Sequence, residues 1–150
     1  GDALIGGMTR IDFYTLAEDS PGDRLLLTCR LAQRAHDEGL RVFIVTPDDQ
    51  TAMALDRLLW TFRDESFLPH GLLGETDPDL TPILIGRDPA PDQIGQVLIN
   101  LGFEAPGSLD RFERLIEPID HDPAVRAAGR RRYARYKGLG YPLGHHAIRL

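Results

Sequence analysis

Arg126, Arg130 and Tyr133 stand at i, i+4 and i+7 within the run Asp122 to Lys137. On a helix opening at Pro123 they line one face, with Arg131 and Arg135 on an adjacent one. Arginine forks hold carboxylates or phosphates through two parallel hydrogen bonds, and a nearby tyrosine ring covers an apolar group or stacks on a cation or base. Two ligand classes fit such a face: a nucleic-acid backbone and an acidic peptide. The run carries six cations and no acid after Asp122, whereas the first 122 residues hold 10 cations against 23 acids, a formal −13. So negative a body opposes a long polyanion, while a short acidic peptide needs only the local patch. A plainer alternative stays open, a solvated basic helix lying near the acids of its own fold. Gly129 inside the run weakens the helix by about 1 kcal/mol relative to alanine.

A second candidate surface runs from Leu58 to His70 and holds the single tryptophan, Trp60, with Phe62 and Phe67. A helix end and the loop behind it do not readily bury three large rings. Trp60 and Phe67 are therefore either core anchors or the aromatic centre of an interface rimmed by charge.

Catalytic chemistry finds little support. The loop from Ala17 to Asp23 carries three carboxylates, which repel a phosphate, and has no glycine-rich cradle followed by lysine. Asp48 and Asp49 have the chemistry to hold Mg²⁺, yet acids also belong in the first turn of a helix. His70 sits between Pro69 and Gly71, where a general base is conceivable, but no paired nucleophile accompanies it. A small nucleotide- or metal-dependent hydrolase built on Asp48, Asp49 and His70 thus stands as an alternative, as does a direct binder of single-stranded nucleic acid. None of the five histidines forms a helical i, i+4 pair or joins a cysteine cluster, so no metal site, cofactor or catalytic residue is expected. His145 and His146 read as part of a solvated tail, and Cys29, among Leu25, Leu26 and Leu31, as a buried structural thiol.

The elements that must position these residues follow from periodicity. Thr9 to Leu16 alternates as a strand, with Ile11 and Phe13 apolar against Asp12 and Tyr14. Asp23 caps a helix that stops at Gly39, with Leu27, Leu31 and Ala35 on one face and Arg24 and Thr28 on another. Arg41 to Val45 reads as a strand covered on both faces, followed by Thr46 and Pro47 as cap and first-turn pair of a helix reaching Trp60. Prolines and glycines between Arg63 and Pro82 permit only short elements, and Ile83 to Gly86 and Gln96 to Leu101 suit interior strands. Ser108 is expected to cap a helix with Leu109, Phe112, Leu115 and Ile116 on one stripe, broken at Pro118, before the basic helix that ends at Gly138 or Gly140. The order implies a three-layer α/β/α fold with a mostly parallel sheet, Rossmann-like without a nucleotide-binding motif.

Length and composition fit one ordinary globular domain over residues 8–150, at 42% hydrophobic and 27% charged residues. Gly1 to Gly7 read as a remnant preceding a native start at Met8. Apolar runs such as Leu25 to Leu27 are too short to cross a bilayer, which with the lone cysteine leads to the expectation of a soluble cytoplasmic protein.

The chain resembles the chi subunit family of bacterial DNA polymerase III, the clamp-loader accessory proteins, over nearly all of Met8 to Tyr141. The resemblance is carried by Ile11-Asp12-Phe13-Tyr14, by Gly39-Leu40-Arg41-Val42, by Leu55-Asp56 with Leu59-Trp60 and Glu65-Ser66-Phe67-Leu68-Pro69-His70, and by Arg130, Arg132, Tyr133 and Tyr136. It implies a non-catalytic adaptor in DNA replication and repair. One surface would bind the acidic C-terminal tail of single-stranded DNA-binding protein, which ends in Pro-Phe with a free carboxylate. Another would bind the clamp-loader psi subunit or, alternatively, a repair helicase. Arg126, where the family has lysine, and Arg130 would face the peptide's carboxylates, Tyr133 would stand beside them, and Ile119 would floor the pocket for the terminal Phe. Trp60 and Phe67 would meet psi. The chain would act as a monomer or heterodimer in the nucleoid-associated replisome, touching DNA only indirectly and no membrane.

Overall fold

The computed structural model describes residues 8–63, 67–92 and 95–150. The leading residues 1–7, and Glu65 and Ser66 of the family block, lie outside the described residues. The elements are β1 (Arg10–Leu16), α1 (Arg24–Asp37), β2 (Val42–Val45), α2 (Asp49–Thr61), β3 (His70–Leu72), β4 (Ile83–Gly86), β5 (Val97–Asn100), β6 (Arg114–Ile119), α3 (Pro123–Gly138) and β7 (Leu143–Ile148). The strands form one sheet in the order β3-β4-β2-β5-β6-β1-β7, and every pairing is parallel. This is the expected three-layer α/β architecture.

The direction of each crossover decides which face its connection covers. From β1 to β2 and from β2 to β3 the chain moves toward the β3 edge; every later step moves toward the β7 edge. Right-handed crossovers therefore put α1 and α2 on one face and α3, with the later loops, on the other. The core divides accordingly. Leu27, Leu31, Leu55 and Leu59 pack against Ile44, Ile85 and Ile99. Leu109, Phe112, Val125 and Tyr136 pack against Ile11, Phe13, Leu98 and Leu115. Among the described residues no helix is long and apolar enough to cross a membrane.

Three local expectations are corrected. The helix placed after Ser108 is instead a single 3-10 turn, Leu109–Arg111, followed by β6. The apparent stripe joins two elements: Leu109 and Phe112 belong to the turn and its end, while Leu115 and Ile116 are neighbours in β6, which is buried on both faces between β5 and β1, so its apolar residues do not alternate. Pro118 does not break this strand. Its carbonyl accepts from Arg24 Nε at 2.8 Å, so its donorless nitrogen faces the side where pairing with β5 has already ended at Ile116. Thr46 and Pro47 precede α2 rather than start it. Thr46 is held to β4 through its N–H and hydroxyl on Gly86 O, at 2.8 and 3.1 Å, and Asp48 is the cap, accepting from Thr51 N at 2.7 Å.

The third correction concerns the end of the chain. His145 and His146 belong to no solvated tail: β7 pairs with β1 from Ile11↔Leu143 to Leu16↔Ile148. His146 Nε2 lies 2.9 Å from Asp12 Oδ1, and its ring stacks on Tyr14 with centroids 4.6 Å apart. β1 is consequently interior, and Asp12, expected on a polar face, is buried against Arg10, Arg114 and His146. Gly144 permits this approach, because a Cβ there would lie 2.2 Å from Asp12 Oδ1.

Candidate functional site

Where α3 leans over β6 and β1, a cavity of about 300 Å³ opens, lined by Phe13, Thr15, Ile119, Arg126, Gly129, Arg130, Tyr133 and His145. Each wall has a separate origin. The side chains of β1 alternate, so Phe13 and Thr15 point to the α3 face. Ile119 ends β6, and α3 starts four residues later, at Pro123, behind Asp122, whose carboxylate accepts from Ala124 N at 2.7 Å. Helical spacing then brings Arg126, Arg130 and Tyr133 onto one side of the helix, with Gly129 between them. A Cβ on Gly129 would lie 2.7 Å from Ile119 Cδ1, so the glycine lets the helix seat closely on β6. The helix-weakening residue is thereby explained: its missing side chain is floor space.

The four residues singled out in the sequence, Arg126, Arg130, Tyr133 and Ile119, thus come together. Ile119 and Phe13 are buried and form an apolar floor. The Tyr133 ring meets Phe13 edge-on at 5.3 Å. Arg126 is tied by Nε to Asp120 O at 3.2 Å, which leaves its terminal nitrogens for a ligand. Arg130 is exposed and forms no hydrogen bond or ion pair among the described residues. On the wall opposite the arginines, His145 Nε2 lies 2.8 Å from Thr15 Oγ1. Sequence reasoning missed Phe13, Thr15 and His145 as lining residues, since Phe13 and Thr15 are placed by the pairing of β1 with β6 and His145 by β7 joining the sheet. An apolar floor beneath two guanidinium groups suits a ligand with one apolar side chain next to a carboxylate.

The opposite side of α3 is held by a buried polar network that sequence reasoning also missed. Glu117, fully buried in β6, accepts from Arg132 Nε and Nη2 at 3.0 Å each, from Tyr136 OH at 2.7 Å and from Asn100 Nδ2 at 3.1 Å. Burial pushes the Tyr136 hydroxyl up, and the neighbouring carboxylate adds to this, so it stays a proton donor. Arg24, buried at the start of α1, donates to Pro118 O, Leu101 O and Asn100 O at 2.8, 2.9 and 3.1 Å. Burial lowers its pKa to about 10, still well above neutrality. The family-like run Arg130, Arg132, Tyr133, Tyr136 therefore splits in two, with Arg130 and Tyr133 at the cavity and Arg132 and Tyr136 anchoring the helix.

Trp60 and Phe67 are both exposed, at 47% and 82%, with ring centroids 5.7 Å apart, while Phe62 packs against the core. The Trp60 ring also lies 4.2 Å from that of His70 on β3, which puts this aromatic patch at the β3 edge, across the sheet from α3.

Asp48, Asp49 and His70 are not brought together. Asp48 caps α2, and the Thr51 N–H it accepts holds its carboxyl below the ordinary range. Asp49 begins the same helix, 3.7 Å from Arg87. His70, on β3, lies beside the C-terminal half of that helix, with Nδ1 2.6 Å from Leu68 O and Nε2 2.9 Å from Asp56 O, leaving neither nitrogen facing a substrate. Cys29 is buried as expected, and burial pushes its thiol up to about 12. No cluster of three or more metal-ligating side chains occurs among the described residues.

Comparison with known proteins agrees with the resemblance. A family described as DNA polymerase III chi subunit, HolC, matches residues 8–144. The chain is 39% identical over 141 residues to DNA polymerase III subunit chi of Pseudomonas aeruginosa, covering 94% of this chain and 98% of that protein. It is 31% identical over 134 residues to the subunit of the same name from Haemophilus influenzae, covering 87% and 92%, and 28% identical over 141 residues to that of Escherichia coli, covering 91% and 96%. Aligned with these relatives along almost their whole length, the chain belongs to the DNA polymerase III chi subunit family and so to the machinery of DNA replication.

Proposed function

We propose that this subunit is a non-catalytic connector. Its α3 cavity takes the acidic C-terminal tail of single-stranded DNA-binding protein, and Trp60 and Phe67 take the clamp-loader psi subunit or a repair helicase. The observation that carries the first half is the meeting of Arg126, Arg130, Tyr133 and Ile119 in one cavity. A terminal Phe ring laid on Phe13 and Ile119 leaves water, worth about 1.5–3 kcal/mol for full burial. Its carboxylate then lies under the guanidinium groups, where charge-assisted hydrogen bonds favour a free terminus over an amide. Support for the second half is the exposure of two neighbouring aromatic rings, the usual composition of an interface hot spot.

The test is fluorescence anisotropy of a labelled acidic peptide ending in Pro-Phe, with Arg126→Ala, Arg130→Ala and an amidated peptide as comparisons. Saturable binding that weakens with either arginine or with loss of the free carboxylate is expected. Absence of binding at low salt sinks the reading. For the second surface, Trp60→Ala and Phe67→Ala are expected to abolish co-purification with psi while leaving peptide affinity unchanged.

A further inference from the structure

A second hollow, of about 310 Å³, lies on the other flank of α3, lined by Phe103, Glu104, Ala105, Arg131, Arg132 and Arg135. Phe103 is 49% exposed at its base. Arg24 underlies the ring at 5.8 Å from its centroid, and Arg132 Nη1 donates to Phe103 O at 2.9 Å. Asn100 pins the loop on both sides, through Oδ1 to Gly102 N at 2.9 Å and Nδ2 to Glu104 O at 3.0 Å. The ring is thus an aromatic platform held in place before any ligand arrives. Above it Arg131 and Arg135, one helical turn apart, are exposed and form no ion pair or hydrogen bond among the described residues. Glu104 is the sole acid lining the hollow, and α3 itself contains none.

Resting on the reading of the first cavity as an acidic-peptide site, we infer that the Phe103 hollow receives an apolar side chain of the same peptide upstream of its terminus, with intervening carboxylates on Arg131 and Arg135. Arg130 faces the first cavity and Arg131 is the next residue, so an acidic segment crossing the outer surface of α3 meets cations without interruption. A helix is roughly 10–12 Å across with its side chains, a span of three to four extended residues. The apolar side chain therefore belongs about four or five residues before the terminus. The same hollow would accept a nucleobase stacked on Phe103. The acidic body of the chain disfavours a polyanion there, whereas a short peptide meets only the local positive strip.

The experiment compares a short acidic peptide ending in Pro-Phe with one of about ten residues that adds acids and an upstream Leu, and with the same long peptide carrying Ser for that Leu. The long peptide is expected to bind at least about fivefold more tightly, from burial of one side chain and added charge contacts. The gain should shrink with the Leu-to-Ser peptide and in Phe103→Ala to what the added charges alone supply, and fall in Arg131→Ala/Arg135→Ala, while short-peptide affinity stays unchanged in both variants. Equal affinity for short and long peptides, or a gain undiminished in Phe103→Ala, overturns the inference alone. So does a single-stranded oligonucleotide that binds and displaces the long peptide but not the short one. Failure of the short peptide to bind overturns the underlying reading and this inference with it.

Discussion

Replacing Glu117 by alanine tests how α3, and with it the cavity, is held to the sheet. The carboxylate is fully buried and accepts from Arg132, Tyr136 and Asn100. Its removal strands the Arg132 guanidinium, itself 4% exposed, with Phe103 O as its remaining acceptor. Breaking a buried ion pair from one side costs about 3–5 kcal/mol, since one charge stays buried without its partner. The Tyr136 hydroxyl loses its acceptor as well, so the upper half of that range is expected. For a chain of this size, with about 2–4 °C of Tm per kcal/mol, the midpoint should fall by roughly 8–20 °C.

Urea and thermal unfolding followed by circular dichroism measure this directly. Glu117→Leu combined with Arg132→Met removes both charges, and is expected to recover most of the loss, because the cost lies in the orphaned charge more than in the lost attraction. A loss below about 1 kcal/mol in Glu117→Ala, or a double variant no more stable than the single, would refute the reasoning.

Further outcomes follow from the same geometry. Gly129→Ala trades a helix gain of about 1 kcal/mol against a Cβ placed 2.7 Å from Ile119 Cδ1, so Tm should move little while acidic-peptide affinity falls several-fold; unchanged affinity by anisotropy would contradict the place of Gly129 in the cavity floor. Burial alone would raise the Asp12 carboxyl, but hydrogen bonds from Arg10 and His146 and the charges of Arg10 and Arg114 outweigh it, so its pKa lies below 3.8. Its stabilising contribution is therefore present above that value and lost as pH falls through the depressed one; hydrogen exchange should show β7 losing protection in acid before β2 and β5, an effect absent in Asp12→Asn. With its thiol at about 12, Cys29 is expected to react with an aromatic disulfide at pH 8 only as fast as the chain unfolds, and rapid native labelling would contradict its burial.

The fold was legible where local signals agreed with tertiary ones. Asp23, Gly39 and the Val42–Val45 run mark α1 and β2 in the sequence, and they stand as expected because caps and a doubly covered strand are encoded by neighbouring residues. β6 was misread because Leu115, Ile116, Glu117 and Ile119 are buried on both faces, and such a run has no period of two to separate it from a helix. β7 was missed for the converse reason: Leu143 to Ile148 is short and half polar, and becomes a strand through pairing with β1 and the His146–Asp12 contact, neither of which is local. The cationic half of the cavity was readable because helical spacing brings it together. Phe13, Thr15 and His145 come from strands far apart in the chain, and no spacing could assemble them. Arg132 and Tyr136 were visible only as resemblance; the buried carboxylate that gives them a role sits in the strand read as a helix.

The arrangement also bears on why one small chain would carry two recognition surfaces. The α3 cavity reaches β7 through His145, and the Trp60 patch reaches β3 through His70, so they occupy opposite edges and opposite faces of a seven-stranded sheet. Six inter-strand spacings of about 4.8 Å separate the edges by roughly 29 Å. Partners held there need not collide, and the interior strands between them, buried on both faces, leave little freedom for one site to reshape the other. Charge is partitioned in the same way: α3 carries cations without acids, while residues 1–122 are strongly acidic. An isolated basic strip on a negative body attracts a short acidic segment, because that ligand ends within the strip. A long polyanion must run on over repelling surface. On the proposed reading, the acidity of the body would do for selectivity what the arginines would do for affinity.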